Sequence, residues 1–333
     1  MRRRDFTFGL LLAVASQSAR GQEPAKQNRI AIVIASGPSP ASTTQQVTPG
    51  GHFWKELRRQ GDIEGQNLTV ERYSGEGRPE GYADLARKVV SRNPDVIVPI
   101  SPPIMQAVGA ATSTIPIVGS AAYTELRQVP SLARPAGNVT GITVTAGYEI
   151  YGKYLQILKE AVPSASRVAF PDMDTGADRQ RRREALEKAS RALKISLTDV
   201  LLQQSTPSEY QRVFGEIAQS KPDAIIVSAI AELYAYRQLI VELVEKSRLR
   251  AMYPSPPRDW VEAGGLMAYG TNYAELWRRL ADDVHQVLNG AKPGDIPIYQ
   301  PTKYEFLINL KAAKAVGLAV PQSLLADADE VIE

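Results

Sequence analysis

The chain has 333 residues, 44% of them hydrophobic and 23% charged, which is typical of a folded protein and long for a single hydrophobic core. Its formal charge of +3 is carried by the first 21 residues, and the neutral remainder does not favour nucleic acid as a partner. The sequence contains no cysteine, which excludes disulfides, thiolate metal sites and a cysteine nucleophile.

Residues 1–21 are typical of an export signal. The charged segment MRRRDF precedes the short apolar run FTFGLLLAVA, and small residues lie just before Gln22, as at a cleavage site. The pair Arg3-Arg4 resembles a twin-arginine signal, and a plain secretory signal is the alternative. Because the apolar run is too short to span a bilayer, we expect the signal to be cleaved and the protein to be exported.

From Arg29 onward, short apolar runs alternate with longer amphipathic ones. The apolar runs predict strands at 29–35, 67–73, 95–100 and 115–120. The amphipathic runs predict helices at 53–61, 80–92 and 104–113. Strands that are apolar throughout and alternate with helices indicate a parallel sheet covered on both faces, which makes one α/β lobe.

The same alternation restarts after residue 145 and predicts a second α/β lobe. Its strands are predicted at 167–170, 195–202, 223–229, 250–254 and 266–270. Its helices are predicted at 151–162, 177–193, 208–220 and 231–247. Pro-Asp opens the corresponding strand in each lobe, at 94–95 and at 222–223. A long helix then runs from Tyr273 to a stop at Gly290, and residues 296–310 suggest a return across the boundary between the lobes.

Residues suited to catalysis or to a cofactor are scarce. Only His52 and His285 could supply an imidazole, and neither has a partner cluster that suggests a catalytic base. The glycines of SGEGRPEG (74–81) lack the spacing of a dinucleotide loop and favour a loop before a helix. The charge run at 179–184 is typical of a solvated helix face. We therefore predict no enzyme activity, no cofactor and no metal.

Ligands of parallel α/β sheets bind outside the carboxyl ends of the strands. The first-lobe ends offer hydroxyls and backbone amides suited to a carboxylate, whereas the second-lobe ends offer carboxylates for an amine and an arginine for an acid. The predicted binding residues are Ser36, Gly37, Ser101, Pro102, Ser120, Tyr123, Asp172, Asp174, Thr175, Ala229 and Arg258. Tyr123, Tyr234, Tyr236 and Tyr269 are candidates for aromatic walls. The alternative is that the serines only cap helices.

Several long segments together resemble ABC-transporter substrate-binding proteins of the tryptophan or aromatic-amino-acid type. They are SLARPAGNVTGIT (131–143), YLQILKEAVPSASRVA (154–169), WVEAGGLMAYG (260–270) and GAKPGDIPIYQPTKYEFLINLKAAKAVGL (290–318). The resemblance extends from about Arg29 to Glu333 and implies a type I periplasmic-binding-protein fold, in which two Rossmann-like lobes with parallel sheets are joined by a hinge.

The resemblance also implies how the chain divides. Lobe 1 would contain residues 22–142 with part of 270–300, and lobe 2 residues 143–269 with part of 300–333. The chain would cross the hinge near residues 142, 270 and 300, and the two lobes would close on a ligand between them.

The function implied is that of the periplasmic solute-binding component of an ABC importer. It would bind a small carboxylate-bearing ligand, an amino acid or an aromatic acid, and present it to an ABC permease in the inner membrane. A clamp of this kind is most simply a monomer. A ligand-sensing receptor component remains an alternative, as does an exported two-lobe α/β enzyme.

Overall fold

The computed structural model describes residues 27–35, 51–76, 78–121, 130–144, 147–173 and 177–333. The predicted export signal lies outside these residues. So do five of the predicted binding residues, namely Ser36, Gly37, Tyr123, Asp174 and Thr175.

Strands and helices alternate along most of the chain. The strands are β1 (Asn28–Ile34), β2 (Leu68–Ser74), β3 (Val96–Pro99), β4 (Ile117–Ala121), β5 (Val139–Thr143), β6 (Arg167–Met173), β7 (Ser196–Leu202), β8 (Ala224–Ile226), β9 (Arg250–Tyr253), β10 (Met267–Thr271), β11 (Tyr304–Asn309) and β12 (Glu330–Ile332). The helices are α1 (His52–Arg59), α2 (Tyr82–Ser91), α3 (Pro102–Ala111), α4 (Ile150–Ala161), α5 (Ala177–Leu193), α6 (Pro207–Ser220), α7 (Ala231–Ala235), α8 (Arg237–Lys246), α9 (Pro257–Glu262), α10 (Tyr273–Leu288), α11 (Leu310–Ala315) and α12 (Gln322–Asp327).

The strands form two separate sheets, each the centre of one lobe. The first sheet has the order β2-β1-β3-β4-β5, and all its neighbours are parallel. The second has the order β12-β11-β10-β9-β8-β6-β7 and is parallel except where β10 meets β11. The two α/β lobes predicted from the alternation are therefore present, and the antiparallel pair is a feature that the pattern did not predict.

Apolar residues fill both faces of each sheet. Helices α1 and α10 cover one face of the first sheet, where Leu57, Trp277 and Leu280 pack against the β1 residues Ile30 and Ile32. Helix α10 thus belongs to the first lobe although it lies in sequence between β10 and β11 of the second sheet. Helices α2 and α3 cover the opposite face, and the second sheet is enclosed in the same way by α4 and α5 on one side and by α6, α8 and α9 on the other.

The repeated Pro-Asp pair performs the same structural task in both lobes. The Asp95 carboxylate accepts the backbone N–H of Arg29, at the start of β1, at 2.7 Å. In the second lobe Asp223 accepts the N–H of Arg167, at the start of β6, at 2.9 Å. Each aspartate also returns its own N–H to the carbonyl of the same arginine, at 2.8 and 2.9 Å. The repeat therefore fixes the start of the strand beside it.

The chain passes between the two sheets three times. The first crossing follows β5, and its described residues are 144 and 147–149. The second joins β10 to α10 over residues 271–273, and the third joins the first lobe to β11 over residues 299–304. We call these three segments the crossings. The strand order assigns β5 to the first sheet and β10 and β11 to the second, which shows where the chain changes lobe.

Backbone hydrogen bonds tie the crossings to one another. Tyr299 donates to the Gly141 carbonyl at 2.9 Å and accepts from the Thr143 N–H at 2.8 Å, which joins the third crossing to β5. Asn272 donates to the Lys303 carbonyl at 3.1 Å, which joins the second crossing to the third. The lobes are thus linked by adjacent segments and not by independent strands.

Two predicted elements differ from those observed. The predicted strand at 223–229 is paired only over Ala224–Ile226. The predicted helix at 231–247 is interrupted at Tyr236, whose backbone leaves the α-helical region at φ −107° and ψ 22°. The Tyr236 ring packs against Tyr210 with the ring centroids 4.9 Å apart, a contact from outside the helix that no helical periodicity could reveal. Within the described residues, no helix is long and apolar enough to cross a membrane.

Candidate functional site

Ser101 and Ser120 lie side by side at the carboxyl edge of the first sheet. Ser120 is 4% exposed and lies near the end of β4, and its neighbour across the ladder is Ile100, the residue before Ser101. Ser101 is the residue before α3, but its side chain makes no capping hydrogen bond. The Ser101 Oγ is buried and has no hydrogen-bond partner among the described residues. Ser101 therefore does not cap α3 through its side chain, in contrast to the alternative considered for the serines.

The start of α3 is a poor anion site despite its position at the sheet edge. Pro102 and Pro103 occupy its first two positions, and proline has no N–H to donate. Helix N-termini bind carboxylates mainly through those free N–H groups. A ligand at Ser101 and Ser120 would therefore meet hydroxyl groups, with less support for negative charge than the sequence suggested.

Asp172 is engaged inside the second lobe and is 2% exposed. Its two carboxylate oxygens accept hydrogen bonds from Arg182 Nε and Nη2, each at 3.0 Å, and Ser228 Oγ donates to it at 2.9 Å. Arg182 is 5% exposed, so the prediction that the charge run at 179–184 is a solvated helix face is wrong for this residue. Asp172 already has a cationic partner, and its predicted role as a binder of a ligand amine is not supported by this geometry.

Ala229 meets the same buried polar group. Its backbone N–H donates to the Tyr151 hydroxyl at 3.1 Å, and Tyr151 is 2% exposed. Burial raises the pKa of Tyr151 to about 12, so the hydroxyl stays protonated at neutral pH. Tyr151, Asp172, Arg182 and Ser228 therefore fix the ends of β6 and β8 from inside the lobe.

A cavity of about 560 Å³ lies where the two lobes face each other. His52 of α1 and the first residues of α10 line it from the first lobe, and residues of α8, α9 and β11 line it from the second. Its described lining is His52, Arg237, Gln238, Pro256, Pro257, Arg258, Asp259, Glu262, Ala263, Tyr273, Ala274 and Glu305. Of the predicted binding residues that the structure describes, only Arg258 lines this cavity.

Arg237 is the cation in the cavity that lacks a carboxylate partner among the described residues. Its guanidinium lies over the Tyr234 ring, 4.8 Å from the centroid. Its Nη1 donates a long hydrogen bond of 3.4 Å to the Tyr234 carbonyl. The residue is half-buried at the start of α8. A guanidinium held on an aromatic face with free donors is well suited to bind a carboxylate.

Arg258, by contrast, is already paired. It forms an ion pair with Glu330, and its Nη1 lies 3.8 Å from the Glu262 carboxylate. The Glu330 carboxylate raises the pKa of Arg258 through a hydrogen bond, which keeps the guanidinium charged. A ligand carboxylate at Arg258 would have to compete with Glu330, an exposed pair that is easily exchanged.

The acidic side of the cavity includes Glu305 and Asp259. Burial raises the pKa of Glu305 above its usual value, with a smaller opposing effect of Arg258, and Asn272 Nδ2 donates to Glu305 at 2.6 Å. Asp259 accepts a hydrogen bond from the Tyr234 hydroxyl. A carboxylate whose charge is penalised by burial would be stabilised by an ammonium group brought into the cavity.

His52 faces the cavity from the first lobe as a neutral imidazole. Burial lowers its pKa, and Lys55 and Arg278 lower it further, so it adds no positive charge at neutral pH. The other histidine, His285, lies elsewhere, with its Nδ1 2.6 Å from an Asp62 oxygen. The described residues contain no group of three or more histidine, aspartate or glutamate side chains placed to hold a metal ion.

Sequence reasoning missed Arg237, His52 and Glu305 as cavity residues. Arg237 follows the break at Tyr236, which the amphipathic pattern had read as the interior of one helix. The candidate aromatic walls are divided: Tyr234 lies beneath Arg237, whereas Tyr269 stacks on Tyr304 with the rings 5.6 Å apart. The one signal in the sequence for Arg237 is its position directly after a tyrosine, Tyr236, but this pair of residue types is too common to indicate a binding site.

Comparison with known proteins places the chain in a family. Residues 29–332 match the model of the family described as ABC transporter substrate binding protein. A tyrosine-binding protein of Clostridioides difficile (strain R20291) is 25% identical over 277 residues, which cover 83% of this chain and 77% of that protein.

Solved structures share the fold over most of the chain. An ABC domain in complex with L-Trp from Streptococcus pneumonia has a TM-score of 0.77 and 20% identity, with 92% of this chain and 100% of that chain covered. A conserved domain protein from Vibrio cholerae has a TM-score of 0.78, 24% identity and the same coverage. The predicted type I periplasmic-binding-protein fold is thereby confirmed. The family match over residues 29–332 shows that this chain belongs to the ABC transporter substrate-binding proteins.

Proposed function

We propose that this protein binds a small carboxylate-bearing ligand, either an amino acid or an aromatic acid, in the cleft between its lobes and delivers it to an ABC permease. The observation that carries the proposal is the cavity shared by the two lobes, in which the half-buried guanidinium of Arg237 has no described carboxylate partner. Family membership supplies the general role, since substrate-binding proteins of ABC transporters bind small molecules and dock on a permease.

The charges around the cavity favour an amino acid over a simple acid. The described lining carries the guanidinium groups of Arg237 and Arg258 and the carboxylates of Asp259, Glu262 and Glu305. Such a lining is not net positive, so a dicarboxylate would be repelled, whereas a zwitterion could place its carboxylate at Arg237 and its ammonium at Glu305. Two relatives support this class, one named as a tyrosine-binding protein and the other solved with L-Trp.

The test is thermal unfolding of residues 22–333 in the presence of L-tyrosine, L-tryptophan, 4-hydroxyphenylacetate and succinate. A ligand at roughly 100 times its Kd adds about 2.7 kcal/mol to the free energy of unfolding, which is a readily visible rise in Tm. We expect the two amino acids to raise Tm and the two acids without an amine to raise it little or not at all. If only 4-hydroxyphenylacetate stabilises the protein, the ligand is an aromatic acid; if only succinate does, the charge argument is wrong.

The crossings are the hinge about which we propose the lobes to close. On this proposal lobe 1 contains residues 22–142 and part of 270–300, and lobe 2 contains 143–269 and part of 300–333. The strand order supports this division, because α10 packs on the first sheet while β11 and β12 extend the second. A ligand drives closure only through contacts that it makes better in the closed form.

We further propose that the protein reaches its site of action through a cleaved export signal of the twin-arginine type at residues 1–21. Substrate-binding proteins of ABC transporters are typically extracytoplasmic, which agrees with export. Fusing residues 1–21 to a reporter in a strain that lacks the twin-arginine translocase separates the two routes: retained export would indicate a plain secretory signal.

We also propose that the protein acts as a monomer, independently of nucleic acid, and binds without chemical turnover. Ligand recovered unchanged after incubation with the protein, judged by mass spectrometry, tests the last point, and a converted product would revive the exported two-lobe α/β enzyme. The remaining alternative, a ligand-sensing receptor component, would be favoured by a neighbouring kinase gene in place of permease and ATPase genes.

A further inference from the structure

Thr271 connects the wall of the cavity to two of the three crossings. It is the last residue of β10 and is fully buried, at 0% exposed. Its backbone N–H donates to Ser255 Oγ at 2.9 Å, and its own Oγ1 donates to the Val144 carbonyl at 3.1 Å. The two hydroxyl oxygens of Ser255 and Thr271 are 3.3 Å apart.

The hydrogen bonds among Ser255, Thr271 and Val144 have a single consistent assignment of donors and acceptors. Thr271 has a single hydroxyl proton and gives it to the Val144 carbonyl, so the contact between the hydroxyls is one in which Ser255 donates and Thr271 accepts. Ser255 Oγ at the same time accepts the Thr271 N–H. Each hydroxyl therefore donates one hydrogen bond and accepts one within this group.

The residues joined by these hydrogen bonds lie at the cavity wall and at the crossings. Ser255 directly precedes Pro256, Pro257 and Arg258, which line the cavity. Val144 follows β5 at the first crossing, and Thr271 begins the second. The contact is also close: a Cβ at Gly270 would lie 2.1 Å from Ser255 Oγ, so only glycine fits beside it.

We infer that Thr271 is a positioning residue, which holds the cavity wall in a fixed place relative to the first and second crossings without touching the ligand. The inference rests on the proposed function, in which the crossings are the hinge. A wall that is tied to the hinge moves when the lobes rotate, so ligand contacts at residues 256–258 and the angle between the lobes depend on each other.

The test compares two buried threonines. Thr271→Val removes the hydroxyl at nearly constant shape, and Thr140→Val is the matched control. Thr140 is also 0% exposed and donates its hydroxyl to a carbonyl, that of Ile296, at 2.8 Å, but this bond lies within the first lobe. Thr271→Ser keeps the hydroxyl and should restore the behaviour of the parent protein.

The readout is the distance between spin labels on the two lobes. The chain has no cysteine, so Lys88→Cys on α2 and Gln219→Cys on α6, both exposed positions, give a single labelled pair. Without any ligand, we expect Thr271→Val to broaden or shift the distance distribution, while Thr140→Val and Thr271→Ser leave it unchanged. Identical distributions for the two valine variants would overturn the inference.

A binding measurement separates this outcome from failure of the proposed function. With L-tyrosine and L-tryptophan as probes, Thr271→Val should raise Kd by about five- to tenfold, as expected for the loss of one hydrogen bond, and Thr140→Val should not. If the unsubstituted protein binds neither probe, the proposed ligand class fails, whereas the distance measurement still decides the role of Thr271.

Discussion

The buried carboxylate of Asp283 should make the stability of the first lobe depend on pH. Asp283 is 0% exposed on α10, and neither of its oxygens has a hydrogen-bond partner among the described residues. Arg279 Nε lies 3.2 Å from Oδ1 but is not in hydrogen-bonding geometry. Burial raises the pKa of Asp283 to about 7, with Arg279 lowering it and Asp282 raising it to smaller extents.

The sign follows from proton binding in the two states. The folded pKa of Asp283 lies above the ordinary aspartate value of 3.8, so between these two pH values the folded protein binds a proton that the unfolded chain releases. The stability contributed by the protonated form is complete below the lower value and is lost as the pH rises through about 7. Each unit of pKa difference corresponds to about 1.4 kcal/mol, so up to about 4 kcal/mol is lost by pH 8.

The substitution Asp283→Asn removes this titration. At pH 8 we expect the variant to be more stable than the parent by about 2 to 4 kcal/mol, since the neutral amide avoids the cost of a buried charge but forgoes attraction to Arg279. At pH 4.5 the two should differ by less than about 1 kcal/mol, because both side chains are then neutral in the folded state.

Urea unfolding at the two pH values measures the effect, and Asp282→Asn is the control. Asp282 is the neighbouring residue on the same helix with a side chain 42% exposed, and its substitution should change stability by no more than about 0.5 kcal/mol at either pH. If the stability gain of Asp283→Asn is the same at pH 4.5 and pH 8, the reasoning from burial is refuted.

Three further predictions follow from the site and the fold. Arg237→Gln should weaken ligand binding roughly 10- to 100-fold by isothermal titration, whereas Arg212→Gln, an exposed arginine of α6, should leave Kd unchanged; equal effects would exclude Arg237 as the anchor. Arg182→Met leaves Asp172 buried without its partner and should cost about 3 to 5 kcal/mol in urea unfolding; a loss below 1 kcal/mol would contradict the buried pair. Gly141→Ala should lower Tm strongly, because φ is +134° and the new Cβ would lie 2.0 Å from a backbone oxygen; an unchanged Tm would mean that β4 and β5 can separate.

The order of strands and helices could be predicted from the sequence because it depends on local periodicity. Strands buried on both faces read as continuous apolar runs, as in β1 and β3, and the amphipathic runs between them fix the helices. The repeated Pro-Asp pair indicated two equivalent lobes, and its carboxylates do occupy equivalent places at the starts of β1 and β6. The pairing of β10 with β11 was not predictable, since antiparallel neighbours leave no such local signal.

The site was predicted less well because its chemistry depends on which charges pair. Asp172 at a strand end suggested a ligand amine, but Arg182, ten residues later on α5, turns inward and neutralises it. Nothing in the run at 179–184 distinguishes the buried Arg182 from the other arginines, which are exposed or partly exposed. Arg237 was overlooked for the converse reason: its importance comes from the absence of a described carboxylate partner, which only the packing of α7, α8 and α9 determines.

The distribution of charge between the lobes separates affinity from closure. In the described lining of the cavity, the guanidinium and carboxylate groups belong to α8, α9 and β11 of the second lobe, whereas the first lobe contributes a neutral imidazole at His52 and the start of α10 at Tyr273 and Ala274. If the lobes close as proposed, contacts to the second lobe would form in the open protein as well as in the closed one and would add to affinity without favouring closure. On the proposed function, closure is therefore driven by the uncharged first-lobe lining at His52, Tyr273 and Ala274, and a ligand that meets only the charged side would bind without closing the protein.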